Sequence, residues 1–245
     1  MELKEYLKVI EKFVSDYLEK THLNHYVLGL SGGVDSSLVA AICKNAVGKD
    51  KFTGIMIPID SLEADLKDAI ELANDLDINY LVVDGSESYH ELVKQYEKLG
   101  IELDRGTKAN IKARLRMTIL YAYAQKMNGL VIGTDNADER YTGYFTKYGD
   151  GGVDLLPIAY LLKSEVVQAC KLYGIKDRLA ERTPSAGLFE GQTDENEMGV
   201  KYIDIDKYLL GGEIDSKSKE RIEHLHRISE HKREPIPMPM EFIRD

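Results

Sequence analysis

Residues Ser31 to Ser36 have the composition of a loop that binds phosphate: Ser-Gly-Gly-Val-Asp-Ser. Adjacent glycines let the backbone approach a ligand closely, and a helix that starts directly afterwards points free N–H groups at an anion. The acid Asp35 stands in the same loop, where its carboxylate could share a divalent cation with a bound phosphate. These six residues therefore predict a site for a nucleotide together with its metal ion.

Two common phosphate loops do not fit this stretch. A Walker A loop requires a lysine after its last glycine, and none follows Gly33. A dinucleotide-binding loop requires the spacing G-x-G-x-x-G, which residues 29–34 do not supply. The remaining alternative is a tight turn without a ligand. Such a turn needs one glycine, whereas here two glycines stand among serines and an acid.

A second polar segment, residues 133–139, follows a short apolar run and contains the acid Glu139. Ligands of open α/β sheets bind outside the carboxyl ends of the strands, so this segment is expected to meet the phosphate loop. Glu139 and Asp35 could then face one Mg²⁺, although acids in a loop are more often solvated surface. Residues 143–157 add glycines, aromatic side chains and one lysine, which favours a loop folded over a ligand.

Basic side chains occupy every second position from 112 to 116 in a predicted helix. Lys112 and Arg116 are four residues apart and share one face, which we expect to be solvated. Arg114 points elsewhere, between Ile111 and Leu115, and is the residue that we expect to contact a buried anion.

The elements that position these residues follow from hydrophobic spacing. Four apolar runs predict strands, and periodic segments predict helices between and after them. This alternation favours an α/β fold, a doubly wound and mainly parallel sheet with helices on both faces. The predicted strands are 26–30, 52–57, 80–83 and 130–132, and the predicted helices are 3–18, 37–47, 61–76 with Ser61 as its cap, 86–99, 107–127, 163–173, 193–198 and 216–231.

Composition narrows the class of protein. A chain of 245 residues without a linker suits one domain over 1–245, and its net charge of −10 argues against a broad nucleic-acid surface. No apolar run approaches the roughly 20 residues that span a bilayer, and no signal peptide is evident, so we expect a cytoplasmic protein. Cys43 and Cys170 stand in apolar helical patterns and are expected to be buried, without a disulfide or zinc.

Taken together, these motifs resemble the ammonia-dependent NAD synthetases, a branch of the N-type ATP pyrophosphatases with an adenine nucleotide α-hydrolase-like, Rossmann-like fold. The resemblance spans nearly the whole chain. It implies the last step of NAD biosynthesis, in which ATP adenylates the carboxylate of deamido-NAD (nicotinate adenine dinucleotide) and ammonia then displaces AMP. The motifs are SGGVDS at 31–36, NIKARLRM at 110–117, GTDNADE at 133–139, YFTKYGDGGVDLLP at 144–157, PSAGL at 184–188 and EHKR at 230–233.

The resemblance also implies a role for individual residues. Asp35, Lys163 and Glu139 would be catalytic, and Asp35 and Glu139 would hold Mg²⁺. ATP would contact Gly29, Leu30, Ser31, Gly32, Gly33, Val34, Asp35, Ser36, Thr134, Lys163 and Ser185; deamido-NAD would contact Asn110, Arg114, Lys147, Asp154, His231 and Lys232. The family further implies a homodimer with the dinucleotide near the subunit interface, and a mobile lid over residues 182–200.

The same loop is compatible with other nitrogen donors and with other functions. The chain has no domain that releases ammonia from glutamine, so free ammonia is the expected nitrogen donor, with a separate glutaminase chain as the alternative. A tRNA-thiolating relative would need paired reactive cysteines, and a GMP-forming relative would need a further dimerisation domain. A non-catalytic nucleotide sensor would need the loop but not Lys163, Glu139 or residues 144–154.

Overall fold

A four-stranded parallel sheet forms the centre of the computed structural model, which describes residues 1–180 and 193–244. The strands are β1 (His25–Gly29), β2 (Phe52–Met56), β3 (Asn79–Val82) and β4 (Gly129–Ile132), in the order β3-β2-β1-β4. Leu28 of β1 stands opposite Gly54 on one side and Ile132 on the other. All four predicted strands are confirmed, and the parallel, Rossmann-like arrangement is confirmed with them.

Successive side chains of a strand point to opposite faces of the sheet, so both faces carry apolar side chains, and helices cover both faces. Leu28 belongs to a core with Leu38 and Val166, whereas Val27 belongs to a second core with Leu120. The helices are α1 (Leu3–Thr21), α2 (Val34–Val47), α3 (Glu63–Asp75), α4 (Ser86–Lys98), α5 (Arg105–Lys126), α6 (Ala137–Thr142), α7 (Lys163–Leu172), α8 (Asp177–Ala180), α9 (Asp194–Met198), α10 (Tyr202–Leu209) and α11 (Ser216–Ile228).

A third apolar cluster lies apart from the sheet and is formed by α9, α10 and α11. Its buried members are Met198, Val200, Tyr202, Ile205 and Ile222. Tyr141 of α6 and Tyr144 pack against this cluster, which therefore lies directly beside the segment that follows β4.

Three predictions about elements were wrong or incomplete. Ser61 does not cap α3, which begins after Leu62; instead its hydroxyl accepts hydrogen bonds from Ile59 N and from Arg116. The last long helix ends at Ile228, and Glu230–Lys232 form a separate 3₁₀ turn. The short helices α6, α8 and α10 were not predicted, because each is too short to show a hydrophobic period.

Cys43 and Cys170 are buried and unpaired with each other, as expected for small apolar side chains. Burial raises the pKa of the Cys170 thiol to about 12. Among the helices of the described residues, none combines the length and the apolar character that a bilayer crossing demands.

Candidate active site

The phosphate loop lies at the carboxyl end of β1, where α2 begins at Val34. Gly32 has φ +79°, and a Cβ atom there would lie 3.0 Å from the carbonyl oxygen of Asp65, so only glycine fits. The hydroxyls of Ser36 and Ser37 donate to the carbonyl of Gly33 over 3.0 and 2.8 Å. No side chain caps α2, which leaves the N–H groups of its first turn available to an anion.

Lys163 joins this loop to the segment after β4. Its Nζ atom lies 2.6 Å from Oδ2 of Asp35 and 3.3 Å from Oε1 of Glu139. The lysine is the first residue of α7 and is only 4% exposed. All three residues predicted to be catalytic therefore meet, since Lys163 contacts both acids, although they come from three different helices.

A capping box on α6 orients Glu139. The Oδ1 atom of Asn136 accepts a hydrogen bond from the N–H of Glu139, and the N–H of Asn136 donates to Oε2 of Glu139. This arrangement leaves Oε1 directed at Lys163. The Nδ2 group of Asn136 also donates to Oδ1 of Asp35 over 2.9 Å, so one side chain fixes both acids.

The charges in this cluster alter each other's ionisation. Burial and the nearby Asp35 carboxylate raise the pKa of Glu139 to about 8, against the lowering effect of Lys163. Burial alone would lower the pKa of Lys163, but Asp35 and Glu139 outweigh it and raise that pKa. Two ionised acids would exceed the single charge of Lys163, which is why the second proton is held more tightly, and an additional cation would favour the ionised form of Glu139.

Tyr202 completes the surroundings of Lys163 and was missed by sequence reasoning. The centroid of its ring lies 4.8 Å from Nζ of Lys163. Its hydroxyl donates to Oδ2 of Asp194 over 3.1 Å and lies 3.4 Å from Oε1 of Glu139. No motif marks this tyrosine, because it arrives from α10 in the third apolar cluster.

Two buried acids fix the start of α7. Oδ1 of Asp138 accepts from the N–H of Lys163 over 3.4 Å, and Oδ2 of Asp206 accepts from the N–H of Ser164 over 3.2 Å. Burial and Asp206 together raise the pKa of Asp138 to about 9. A proton shared between these two carboxyls therefore accompanies the hydrogen bonds that orient the helix carrying Lys163.

Residues predicted to contact the dinucleotide converge on the loop that follows α6. Nζ of Lys147 donates to the carbonyl of His231, and the guanidinium of Arg114 donates to the carbonyl of Lys147. Nζ of Lys232 donates to the carbonyls of Gly143 and Phe145, and Oγ1 of Thr146 donates to Oδ1 of Asn110. Five of the six predicted residues thus belong to one hydrogen-bonded network.

The sixth residue, Asp154, does not join this network. Its Oδ2 atom accepts from the N–H of Val131 over 2.7 Å, and its Oδ1 atom accepts from the hydroxyl of Tyr121 over 3.0 Å. Both contacts support the edge of β4. Of the two other predicted ATP contacts, Thr134 lies in the loop after β4. Ser185 and most of the predicted lid lie outside the described residues.

The prediction for the basic face of α5 was wrong. Lys112 is only 7% exposed and pairs with Asp60 over 3.3 Å, and Arg116 reaches inward to the carbonyl of Ile57. Arg114 is instead the exposed member of the three. Positions 112, 116 and 120 lie on the side of α5 that packs against the sheet, so Lys112 and Arg116 follow Leu120 inward.

Comparisons with known proteins agree in sequence and in structure. The family model for NAD synthase matches residues 6–236. An NH₃-dependent NAD⁺ synthetase of Mesoplasma florum is 43% identical over 244 residues, which is 100% of both chains. The structure of an NMN synthetase from Francisella tularensis superposes with a TM-score of 0.93 at 38% identity, covering 98% of this chain and 100% of the other. The NH₃-dependent NAD synthetase of Campylobacter jejuni gives a TM-score of 0.81 at 28% identity, with 98% and 100% covered.

Proposed function

Because this chain belongs to the NAD synthase family, we propose that the cluster of Asp35, Lys163 and Glu139 is where ATP is held and cleaved. The chain catalyses the ATP-dependent amidation of deamido-NAD by ammonia, a step of NAD synthesis. The observation that carries the assignment is the position of Lys163. Its ammonium group lies within 3.3 Å of two acids, one of them in the loop that starts α2.

The reaction has two steps, and the protein's part in both is to position groups and balance charge. First, a carboxylate oxygen of deamido-NAD forms a bond to the α-phosphorus of ATP while the bond from that phosphorus to the pyrophosphate oxygen breaks. Then ammonia forms the C–N bond and the C–O bond to AMP breaks. The uncapped start of α2 would hold the leaving pyrophosphate, and Lys163 would neutralise its charge.

Mg²⁺ fits the acids of this cluster. It is usually bound by one or two carboxylates together with substrate phosphates, and Asp35 and Glu139 supply two. The raised pKa of Glu139 supports the fit, because burial and repulsion from Asp35 both disfavour its ionised form and a cation would offset both. When bound, the ion would offset negative charge on the triphosphate. In residues 1–180 and 193–244, no group of three or more His, Cys, Asp and Glu side chains forms a metal site.

We place the dinucleotide beside the network around residues 143–147. Three cations, Arg114, Lys147 and Lys232, converge there, and two phosphates of a dinucleotide would need such charge. Lys147 donates to a backbone carbonyl of the turn at 230–232, and Lys232 donates to backbone carbonyls of the loop at 143–147. We infer that both lysines join the C-terminal turn at 230–232 to this loop and so shape the pocket, and that exposed Arg114 reaches the ligand.

A second copy of this chain is proposed to complete that pocket. Arg114 lies on the exposed side of α5, and further along the same helix a groove of about 500 Å³ is lined by Thr118, Tyr121, Ala122 and Gln125. Uncharged residues on an exposed helix face suit packing against a partner helix. A homodimer formed through α5 would bring the partner close to the dinucleotide.

One observation favours a second acceptor for the same chemistry. The solved structure with a TM-score of 0.93 is that of an NMN synthetase, whose name implies amidation of the mononucleotide. We therefore propose nicotinate mononucleotide as an additional acceptor. It carries the same reacting carboxylate as deamido-NAD and lacks the adenylate half.

The experiment is product analysis with ATP, Mg²⁺, ammonium and either acceptor, each omitted in turn. We expect NAD and AMP to appear together only in the complete mixture with deamido-NAD, and nicotinamide mononucleotide and AMP to appear together with the other acceptor. The ratio of kcat/KM for the two acceptors decides between them. In the complete mixture, pyrophosphate released without an amide would contradict the assigned acceptors, and no cleavage of ATP would leave the nucleotide sensor as the better hypothesis.

A further inference from the structure

Asp135, in the loop after β4, has a carboxylate oxygen that the fold leaves without a partner. The residue is 3% exposed, and its Oδ2 atom has no hydrogen-bond partner in the described part of the chain. Buried polar atoms are nearly always paired, and an unpaired buried carboxylate is costly. A ligand that the fold itself does not contain would account for this oxygen.

Two other buried acids with an unpaired oxygen, Asp138 and Asp206, have an explanation within the fold. Their carboxyls contact each other, and the pKa of Asp138 is raised to about 9, so a shared proton satisfies both. Asp135 has no such neighbour within hydrogen-bonding distance of its Oδ2 atom. Of the three, it is the acid that still requires a donor.

The position of Asp135 lies between the two proposed substrate sites. The next residue, Asn136, donates to Asp35 in the ATP cluster. Burial, Asp150 and Glu139 raise the pKa of Asp135 and outweigh the lowering effect of Arg140, so acids are the dominant charged neighbours. On the dinucleotide side Lys232 interacts electrostatically with Asp135, but its Nζ atom donates its hydrogen bonds to the carbonyls of Gly143 and Phe145.

This environment selects the charge of the missing ligand. Several acids around a buried oxygen concentrate negative potential, which attracts a small cation that can donate hydrogen bonds. The reaction consumes ammonia, which at neutral pH is mostly ammonium, a cation with four N–H donors. We propose that Asp135 binds the ammonium ion, which then releases one proton to water and so gives the ammonia of the second step, an inference that rests on the proposed amidation.

The test compares Asp135→Asn with the unaltered protein and with Asp206→Asn, which also removes a buried acid. We expect Asp135→Asn to raise the KM for ammonium about 10- to 100-fold, the effect of losing a charged hydrogen bond. The KM values for ATP and deamido-NAD should stay within about 3-fold. Asp206→Asn should not shift the KM for ammonium selectively.

A neutral nucleophile separates binding of the cation from chemistry. Hydroxylamine is largely uncharged at neutral pH, so Asp135→Asn should use it as well as the unaltered protein does. Exchange of pyrophosphate into ATP, which needs deamido-NAD but no ammonium, should also persist. If the unaltered protein does not catalyse this exchange, the proposed function is contradicted. If it does, and Asp135→Asn has an unchanged KM for ammonium, only the role of Asp135 is contradicted.

Two other outcomes would also overturn the inference. A selective rise in the KM for deamido-NAD would assign Asp135 to a ribose hydroxyl, and a raised Mg²⁺ requirement would assign it to a metal ion. If Asp135→Asn does not fold, the unaltered protein still provides a test. Rubidium, a cation close to ammonium in size, should then compete with ammonium but not with hydroxylamine, and the absence of competition would contradict the proposal.

Discussion

The ammonium group of Lys163 lies 4.8 Å from the ring centroid of Tyr202, within the range of a cation–π interaction. Tyr202 comes from the third apolar cluster, so α10 packs an aromatic ring against the group formed by Asp35, Lys163 and Glu139. The ring forms one wall around Lys163, and Asp35 and Glu139 form the others. This contact makes Tyr202 a positioning residue for Lys163.

Tyr202→Phe keeps the ring and removes the hydroxyl, whereas Tyr202→Leu removes the ring. We expect kcat to stay within about 3-fold for the phenylalanine variant and to fall a further 10-fold or so for leucine, because a buried cation–π contact contributes up to about 2 kcal/mol. Steady-state kinetics and thermal melting check this. Equal kcat values for two variants of equal stability would contradict the positioning role.

Asp35→Asn removes a carboxylate and changes little volume. We expect kcat to fall about 100-fold or more, because a group that balances charge in the transition state is lost. The melting temperature should change by about 4 °C or less, since Lys163 keeps Glu139 as a partner. Asp16→Asn on α1, which loses only an exposed pair with Lys12, is the control. Near-normal turnover at matched Mg²⁺ would refute the role.

Arg114→Ala should raise the KM for deamido-NAD about 10-fold while the KM for ATP stays near its original value. The reason is the location of Arg114 beside Lys147, away from the phosphate loop. Arg227→Ala, which removes an exposed arginine of α11, controls for loss of charge. A defect confined to ATP would move Arg114 to the other pocket.

His25 makes stability depend on pH. It is 4% exposed, contacts Oγ1 of Thr53 over 2.8 Å, and burial lowers its pKa. The unfolded chain binds a proton near pH 6.5, about the ordinary histidine pKa, whereas the folded chain stays neutral to lower pH. Neutral His25 should therefore contribute its full share to the free energy of unfolding above about pH 6.5. That contribution should decline as the pH falls below this value.

Urea denaturation at about pH 7.5 and 5.5 measures this decline in His25→Gln and in the unaltered protein. The variant should lose less stability between the two values than the unaltered protein. His90→Gln, at an exposed histidine, should behave like the unaltered protein. The same loss of stability in all three proteins would contradict the assignment.

The parts of the fold that the sequence predicts are those set by neighbouring residues. The turn between β1 and α2, the four strands and the long helices depend on local spacing, and the structure confirms them. The direction of side chains on α5 could not be predicted in this way, because the face that packs inward depends on where β1 and β4 lie. Tyr202 carries no local signal, since it matters through contacts made by distant segments. Asp135 lies within the predicted segment 133–139, but its burial depends on distant segments and could not be predicted.

The most direct test of the account is exchange of labelled pyrophosphate into ATP without ammonium, comparing the unaltered protein with Lys163→Met. We predict that the unaltered protein exchanges label only when deamido-NAD is present, and that Lys163→Met loses about 100-fold or more of this activity while remaining folded. Exchange that persists in Lys163→Met, or that never occurs in the unaltered protein, would contradict the claim that Asp35, Lys163 and Glu139 form the adenylation site.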